Sequence, residues 1–101
     1  MWKLIPLIVM LLAGHLSELQ QPRKVDVSEI YGRIEYVDAF ADYKIEIVDA
    51  FPNLYVEEVD AFADSSGEWE IVHANPDFTI QKVDAFGDFK VEYVDSFPGP
   101  R

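Results

Sequence analysis

One complete unit of a tandem repeat occupies residues 83–93, V-D-A-F-G-D-F-K-V-E-Y. The pattern recurs along most of the chain, and a valine is the first residue of each of its six units: Val37, Val48, Val59, Val72, Val83 and Val94. Successive valines are 11, 11, 13, 11 and 11 residues apart, so one unit carries two additional residues. A short fixed period is the sequence signature of a repeat architecture, and it is stronger evidence for a fold than local propensity.

Each unit combines a turn with a strand. Its fifth and sixth positions hold turn-forming pairs such as Pro52-Asn53 and Gly87-Asp88. The residues that follow, such as 43–48, are β-branched or aromatic and alternate with charged residues, which is typical of β-strands. The same period occurs in right-handed helical coiled coils, but prolines recur inside it, and each would cost a helix interior about 3 kcal/mol. The sequence therefore predicts an all-β protein.

Two β architectures are compatible with the period, and they differ in how the strands connect. In a β-solenoid each unit is one coil stacked in parallel on the next, whereas in an antiparallel meander or small barrel each unit is one strand plus one hairpin turn. The apolar positions 1, 4, 7 and 9 do not alternate evenly, so the chain bends within each unit. We therefore favour a small β-solenoid over the alternative. We expect the valines of position 1 inside, and an aromatic column outside, because a narrow coil cannot enclose every phenylalanine.

The N-terminal residues are typical of a signal peptide. Met1-Trp2-Lys3 supplies a positive charge, and residues 4–13 are apolar apart from Pro6. This run is about half the length that a helix needs to cross a bilayer. We expect residues 1–20 to be a signal peptide and residues 21–101 to form a single β-repeat domain. The mature protein would then be periplasmic or secreted, without a permanent membrane span.

The composition limits the function classes that are open to the chain. Half of its 101 residues are apolar, which suits a folded domain even at a net charge of −11. This negative charge opposes binding to DNA, RNA or anionic lipid. The absence of cysteine excludes disulfides, thiolate metal sites and cysteine nucleophiles. We therefore expect no nucleic-acid partner, and stability has to come from packing.

Acidic residues fill the second position of five units: Asp38, Asp49, Asp60, Asp84 and Asp95. In a parallel stack they would form a row at about 4.8 Å spacing, interrupted at His73. The repulsion along such a row is relieved either by backbone hydrogen bonds at the corners and salt screening, or by calcium bridging the carboxylates. The five aspartates are thus the candidate metal ligands, and calcium is the one cofactor that the sequence suggests.

The sequence offers few side chains that could form a catalytic site. Past residue 20 the chain holds a single histidine, His73, and no Ser-His-Asp set follows from the spacing. The carboxylates recur in every unit, whereas a catalytic acid–base pair is singular. The irregular unit, with Ser65-Ser66-Gly67 and then Trp69, indicates a packing adjustment around a longer loop rather than a local site. We expect no catalytic residues and no enzymatic activity.

Tandem V-D-[AS]-F-P-D-x-K-V-type units with one longer G-x-W unit resemble those of a group of short exported bacterial proteins. The resemblance covers residues 34–99, although the cysteine expected before Gly67 is missing. It implies export and a repeat fold, and it implies no activity. We expect a monomeric structural or interaction module that meets a protein or a glycan at the cell envelope. A calcium-binding surface protein and a hydrolase of cell-surface polymers are the alternatives.

Overall fold

A computed structural model describes residues 24–101, so the predicted signal peptide lies outside the described residues. A short 3-10 helix, Val27–Glu29, precedes seven strands. The strands are β1 (Gly32–Tyr36), β2 (Tyr43–Ile47), β3 (Leu54–Val59), β4 (Glu68–Ile71), β5 (Phe78–Lys82), β6 (Phe89–Tyr93) and β7 (Gly99–Pro100). The all-β prediction is confirmed for this part of the chain. None of its helices is long and apolar enough to cross a membrane.

The first six strands form a closed parallel barrel. Their order around the barrel is β4-β1-β5-β2-β6-β3, and the additional pairing of β3 with β4 closes it. The short β7 pairs antiparallel with β3, through Leu54 with Pro100 and Tyr55 with Gly99. Closure leaves no unpaired edge among the six parallel strands, and an unpaired edge is where another chain would add.

The chain passes around this barrel twice, and the two passes are interleaved. β1, β2 and β3 belong to the first pass, and β5 and β6 of the second pass lie between them. Each strand divides its pairing between two neighbours. Ile80 of β5, for example, lies opposite Tyr36 of β1 and also opposite Tyr43 of β2. Except where β3 pairs with β4, the partners of a strand are therefore distant in sequence, at separations such as the 44 residues between Tyr36 and Ile80.

The expected solenoid is not what forms. A solenoid pairs each unit with the next, which here happens only between β3 and β4, where Glu57 lies opposite Glu68. Elsewhere each connection advances the chain by two strand positions and leaves a gap that the second pass fills. The parallel pairing expected of stacked coils is present, and so is the closure of the alternative small barrel, but hairpins do not join the strands. Eleven residues are too few to enclose a core alone, whereas six strands share one.

The 13-residue unit sets the interleaving. Three steps of two positions around six strands would bring β4 onto the position of β1. The connection from β3 to β4 instead advances by one position, because the additional residues around Ser65 and Ser66 let β4 begin beside β3. Every later strand consequently lies between two strands of the first pass, and the barrel closes.

The middle layer of the core consists of one inward, fully buried side chain from each of the six strands: Ile34, Ile45, Val56, Trp69, Ile80 and Val91. They occupy position 9 of the units and the equivalent residue of β1. Ile30, Leu54 and Phe89 are the other buried residues of the core. The valines of position 1 are only half-buried, so the expectation that they fill the interior was wrong. Their backbone N–H groups instead extend the pairing between passes, as from Val37 to the carbonyl of Ile80 at 2.9 Å.

Trp69 explains the irregular unit as a packing device. Its indole is fully buried, and its Nε1–H donates to the carbonyl of Ile30 at 2.8 Å. Two glycines lie close to Trp69: Gly32 is opposite it on β1, and Gly67 is two residues before it. Gly67 has φ of 83° and packs so tightly that a Cβ there would come within 2.5 Å of the Tyr55 carbonyl.

Candidate functional site

The corner that follows each strand has an unusual backbone. The fourth residue of all six units has positive φ: Phe40 at 57°, Phe51 at 55°, Phe62 at 59°, Asn75 at 52°, Phe86 at 61° and Phe97 at 57°. The left-handed region suits glycine and asparagine, whereas other residues lose about 1–2 kcal/mol there. Only the fourth unit has the residue that this conformation favours, Asn75. The other five corners accept a strained phenylalanine.

The five phenylalanine rings at the corners point into solvent. Each is at least 74% exposed, so the expected outward position of an aromatic column is confirmed, but among the described residues these rings do not stack on one another. The rings contribute no burial to the core, since the core is made by other positions. Neither local conformation nor packing therefore accounts for phenylalanine at this position. An exposed apolar group that the fold does not use indicates an interaction surface.

The aspartate two residues before each ring is also unused by the fold. Within residues 24–101, the five carboxylates of position 2 are exposed and have no hydrogen bond or ion pair. The backbone hydrogen bonds predicted for them are made by position 6 instead. The Asp88 carboxylate accepts the backbone N–H of Lys44 at 2.8 Å, and the Asn53 side chain accepts that of Lys90 at 2.8 Å. Position 6 thus holds the two passes together, and position 2 stays open.

The predicted metal ligands do not form the stacked row expected from their order in the chain. Asp38, Asp49 and Asp60 follow β1, β2 and β3, and strands of the second pass separate these from one another. Asp84 follows β5, which lies between β1 and β2 in the barrel, and Asp95 follows β6, which lies between β2 and β3. Among the described residues, no three His, Asp or Glu side chains come close enough to hold a metal ion. Calcium binding stays a prediction of the sequence, but the stacked row on which it rested is not formed.

A polar cluster that the sequence analysis missed closes one end of the barrel. Parallel strands end together, and their last inward residues include Tyr36, Glu58, Lys82 and Tyr93. The Tyr36 hydroxyl donates to Glu58 Oε2 at 2.9 Å and lies 2.7 Å from the Tyr93 hydroxyl. The Lys82 ammonium lies 4.1 Å from the ring centroid of Tyr36 and 5.7 Å from that of Tyr93. All four occupy position 11 of a unit or the equivalent residue of β1. This shared position is the sequence feature from which the cluster could have been predicted.

Burial dominates the electrostatics of this cluster. It raises the pKa of Tyr36, and the neighbouring Tyr93 and Glu58 raise it further. Burial also raises the pKa of Tyr93, against a lowering by its hydrogen bond with Tyr36. Both phenols therefore stay neutral near pH 7, and their hydroxyls bond to each other. The cluster acts as a satisfied cap on the barrel rather than as a reactive centre.

One corner already holds a cation. The Arg101 guanidinium lies over the Phe51 ring, 4.6 Å from its centroid. The backbone N–H of Arg101 donates to the carbonyl of Asn53 at 3.2 Å, which fixes the chain next to this corner. Phe51 is accordingly the least exposed of the five rings, at 74%. The contact shows that a corner ring can accept a guanidinium on its face.

A comparison with known protein families found a match. The family described as the 7(1) septoil knot domain matches residues 27–101. A knotted path is consistent with two interleaved passes of one chain around a closed barrel. No curated protein sequence matches the chain.

Proposed function

The chain belongs to the septoil knot domain family, and we propose that it is a binding module. Its closed barrel supports five phenylalanine corners, which contact a partner protein. The corners are exposed connections between strands of a closed parallel barrel, so the strand pairing fixes the positions of the residues that flank them. Export by the signal peptide of residues 1–20 is part of this proposal and rests on the sequence alone.

A single observation carries the proposal: phenylalanine is retained at five positions where the fold would be better served by asparagine or glycine. Each such residue costs about 1–2 kcal/mol of backbone strain, and its ring gains no burial in return. Aromatic side chains are enriched in the cores of protein interfaces, where they bury large areas with few rotatable bonds. A partner that covers the rings buries their apolar surface, and this burial offsets the backbone strain of the isolated domain.

Catalysis receives no comparable support from the site. The most perturbed side chains, Tyr36 and Tyr93, are engaged with each other at the end of the barrel. The exposed groups at the corners are copied five times, as suits repeated contact with an extended partner. We therefore propose binding rather than turnover as the activity of the domain.

The test uses the residue that the chain itself places at the sixth corner. A variant with all five corner phenylalanines replaced by asparagine keeps the left-handed backbone, as Asn75 does. The labelled domain and the variant are applied to immobilised cell-envelope material of the producing organism. We expect the wild-type domain to be retained on this material. The retained amount of the variant should be about tenfold lower, because the rings supply the contact area.

Two controls make the result specific. A Lys44→Gln variant changes an exposed strand residue away from the corners, and it should bind as the wild type does. Prior protease treatment of the envelope material should abolish retention, whereas periodate oxidation of its glycans should not. Equal retention of a folded five-asparagine variant contradicts the proposal, and loss after periodate alone assigns the partner to the glycans instead.

A further inference from the structure

We infer that the corners recognise basic side chains, so that each corner holds one arginine or lysine of the partner between its ring and its aspartate. This inference rests on the proposed function and names the chemistry of the partner: a protein segment rich in arginine and lysine. Three features of the molecule support it: one internal contact, the composition of the corners and the charge of the repeat region.

The contact between Phe51 and Arg101 is the template. A guanidinium 4.6 Å from the ring centroid lies within the distance at which a cation is attracted to an aromatic face. Arg101 reaches Phe51 because its backbone is anchored at Asn53 in the same corner. The ring therefore binds a cation of the same chemical kind that a partner's arginine would present. The other four corner rings have no such contact among the described residues.

The aspartate of position 2 supplies the opposite charge. In every corner that has a ring, an exposed carboxylate without a partner in the described residues stands two residues earlier, as Asp84 does before Phe86. A planar guanidinium can stack on an aromatic face and donate from its edge to a carboxylate. The ring and carboxylate therefore provide the two interactions that an arginine side chain uses.

The exceptional corner supports this pairing of roles. The fourth unit has His73 in place of the aspartate and Asn75 in place of the phenylalanine. The two positions depart together, although the backbone at Asn75 has the same positive φ as the other corners. If the aspartates served only the turn, this corner would need one as well. The carboxylate and the ring are instead kept together or lost together, as expected for two halves of one recognition element.

The charge of the whole repeat favours a cationic partner. Residues 37–97 hold fifteen Asp and Glu against three Lys, which gives a net charge of 3 − 15 = −12 with histidine neutral. This field attracts a basic segment from a distance and opposes nucleic acids and anionic lipid surfaces. Exposed single contacts are weak, but several corners engaged by one segment bind with avidity. A segment with several basic residues fits this arrangement better than an isolated cation.

The experiment measures binding of three synthetic peptides by NMR: a Gly-Arg repeat, a Gly-Lys repeat and a neutral Gly-Gln repeat of equal length. We expect the basic peptides to shift the amide signals of the five corners, and the neutral peptide to leave them unchanged. The five-asparagine variant retains every charge, and we expect it to bind the Gly-Arg peptide about tenfold more weakly than the wild type. Replacement of Asp38, Asp49, Asp60, Asp84 and Asp95 by asparagine should cause a comparable loss.

Arg101→Ala provides a gain-of-function arm. It uncovers the Phe51 ring, so the Gly-Arg peptide should produce a larger shift at this corner than in the wild type, with the other corners unchanged. Equal binding of the Gly-Arg peptide by the wild type and the five-asparagine variant overturns the inference, because attraction by overall charge alone then accounts for it. Envelope retention that depends on the rings, without any binding of basic peptides, overturns the inference and leaves the proposed function in place.

Discussion

The hydroxyl oxygens of Tyr36 and Tyr93 lie 2.7 Å apart, although 57 residues separate them in the chain. Tyr36 ends the first strand of the first pass, and Tyr93 ends the last strand of the second. The contact exists because every parallel strand finishes at the same end of the barrel. One hydrogen bond thus joins the two passes where the sequence shows only two distant members of a repeat column.

This pair predicts a loss of stability in alkali. Burial raises the pKa of both phenols, so the folded state favours their neutral forms. The unfolded chain ionises near the ordinary tyrosine pKa of about 10. The stabilisation is therefore complete below about pH 10 and decreases as the pH rises above it. Urea midpoints measured from about pH 8 to 11.5 should fall at the alkaline end.

Tyr36→Phe is the matched variant for this prediction. It removes the hydroxyl that contacts Glu58 and Tyr93, and should cost about 0.5–1.5 kcal/mol near pH 8. It should also flatten the alkaline decrease, since one of the two shifted phenols is gone. Parallel pH profiles for the wild type and the variant would show that these phenols do not govern alkaline stability.

Two isoleucines of β2 test the core assignment. Ile45 is fully buried, whereas Ile47 is 43% exposed at the rim of the barrel. Ile45→Ala should reduce the free energy of unfolding by about 2–5 kcal/mol, because it leaves a cavity in the middle layer. Ile47→Ala should cost less than about 1 kcal/mol, as substitutions at exposed positions do. Chemical denaturation measures both, and similar losses would refute the layer assignment.

Two phenylalanines of one unit test the corner. Phe86 is strained and exposed, whereas Phe89 is 5% exposed in the core. Phe86→Asn should leave the melting midpoint unchanged or raise stability by up to about 1 kcal/mol, since asparagine relieves the left-handed strain. Phe89→Asn should destabilise by about 3 kcal/mol or more, through lost burial and a buried amide. A marked loss from Phe86→Asn would mean that the ring supports the fold.

Two aspartates of the same corner separate the structural acid from the free one. Asp88 accepts the backbone N–H of Lys44 at 2.8 Å, and Asp84 has no partner among residues 24–101. Asp88→Ala should cost about 0.5–1.5 kcal/mol and accelerate hydrogen exchange at the Lys44 amide. Asp84→Ala should be neutral or slightly stabilising, because it reduces the repulsion of a strongly acidic chain. Protection of the Lys44 amide that survives Asp88→Ala would contradict this role.

The sequence predicted the elements well and their arrangement poorly, for a physical reason. Corners, strands and the outward phenylalanines follow from local preferences within one unit, which the period repeats. Strand pairing between the passes depends on which two units lie side by side. Nearly identical units, such as those beginning at Val37 and Val83, contain no sequence difference that identifies their partners. The one sequence feature that indicated the pairing was the 13-residue unit, because its two additional residues shift the second pass by one strand position.

The candidate site was predictable in part for the same reason. The chemistry of the corners is local, so Asp84 and Phe86 could be recognised from one unit. The predicted role of the aspartates as backbone acceptors was assigned to the wrong column, because position 6 faces the other pass, which the sequence does not identify. The Tyr36 and Tyr93 contact was missed because it requires knowing that four residues of one column meet at the end of a barrel.

The interleaving of the two passes also determines when the protein can fold during its synthesis. Every residue with which β1, β2 and β3 pair lies at position 68 or later. A nascent chain that ends before Glu68 therefore contains three strands and none of their partners. It has no sheet to form while the ribosome is still translating that part. The barrel can assemble only after the strands from Glu68 onward have emerged, so the first three strands wait unpaired until then.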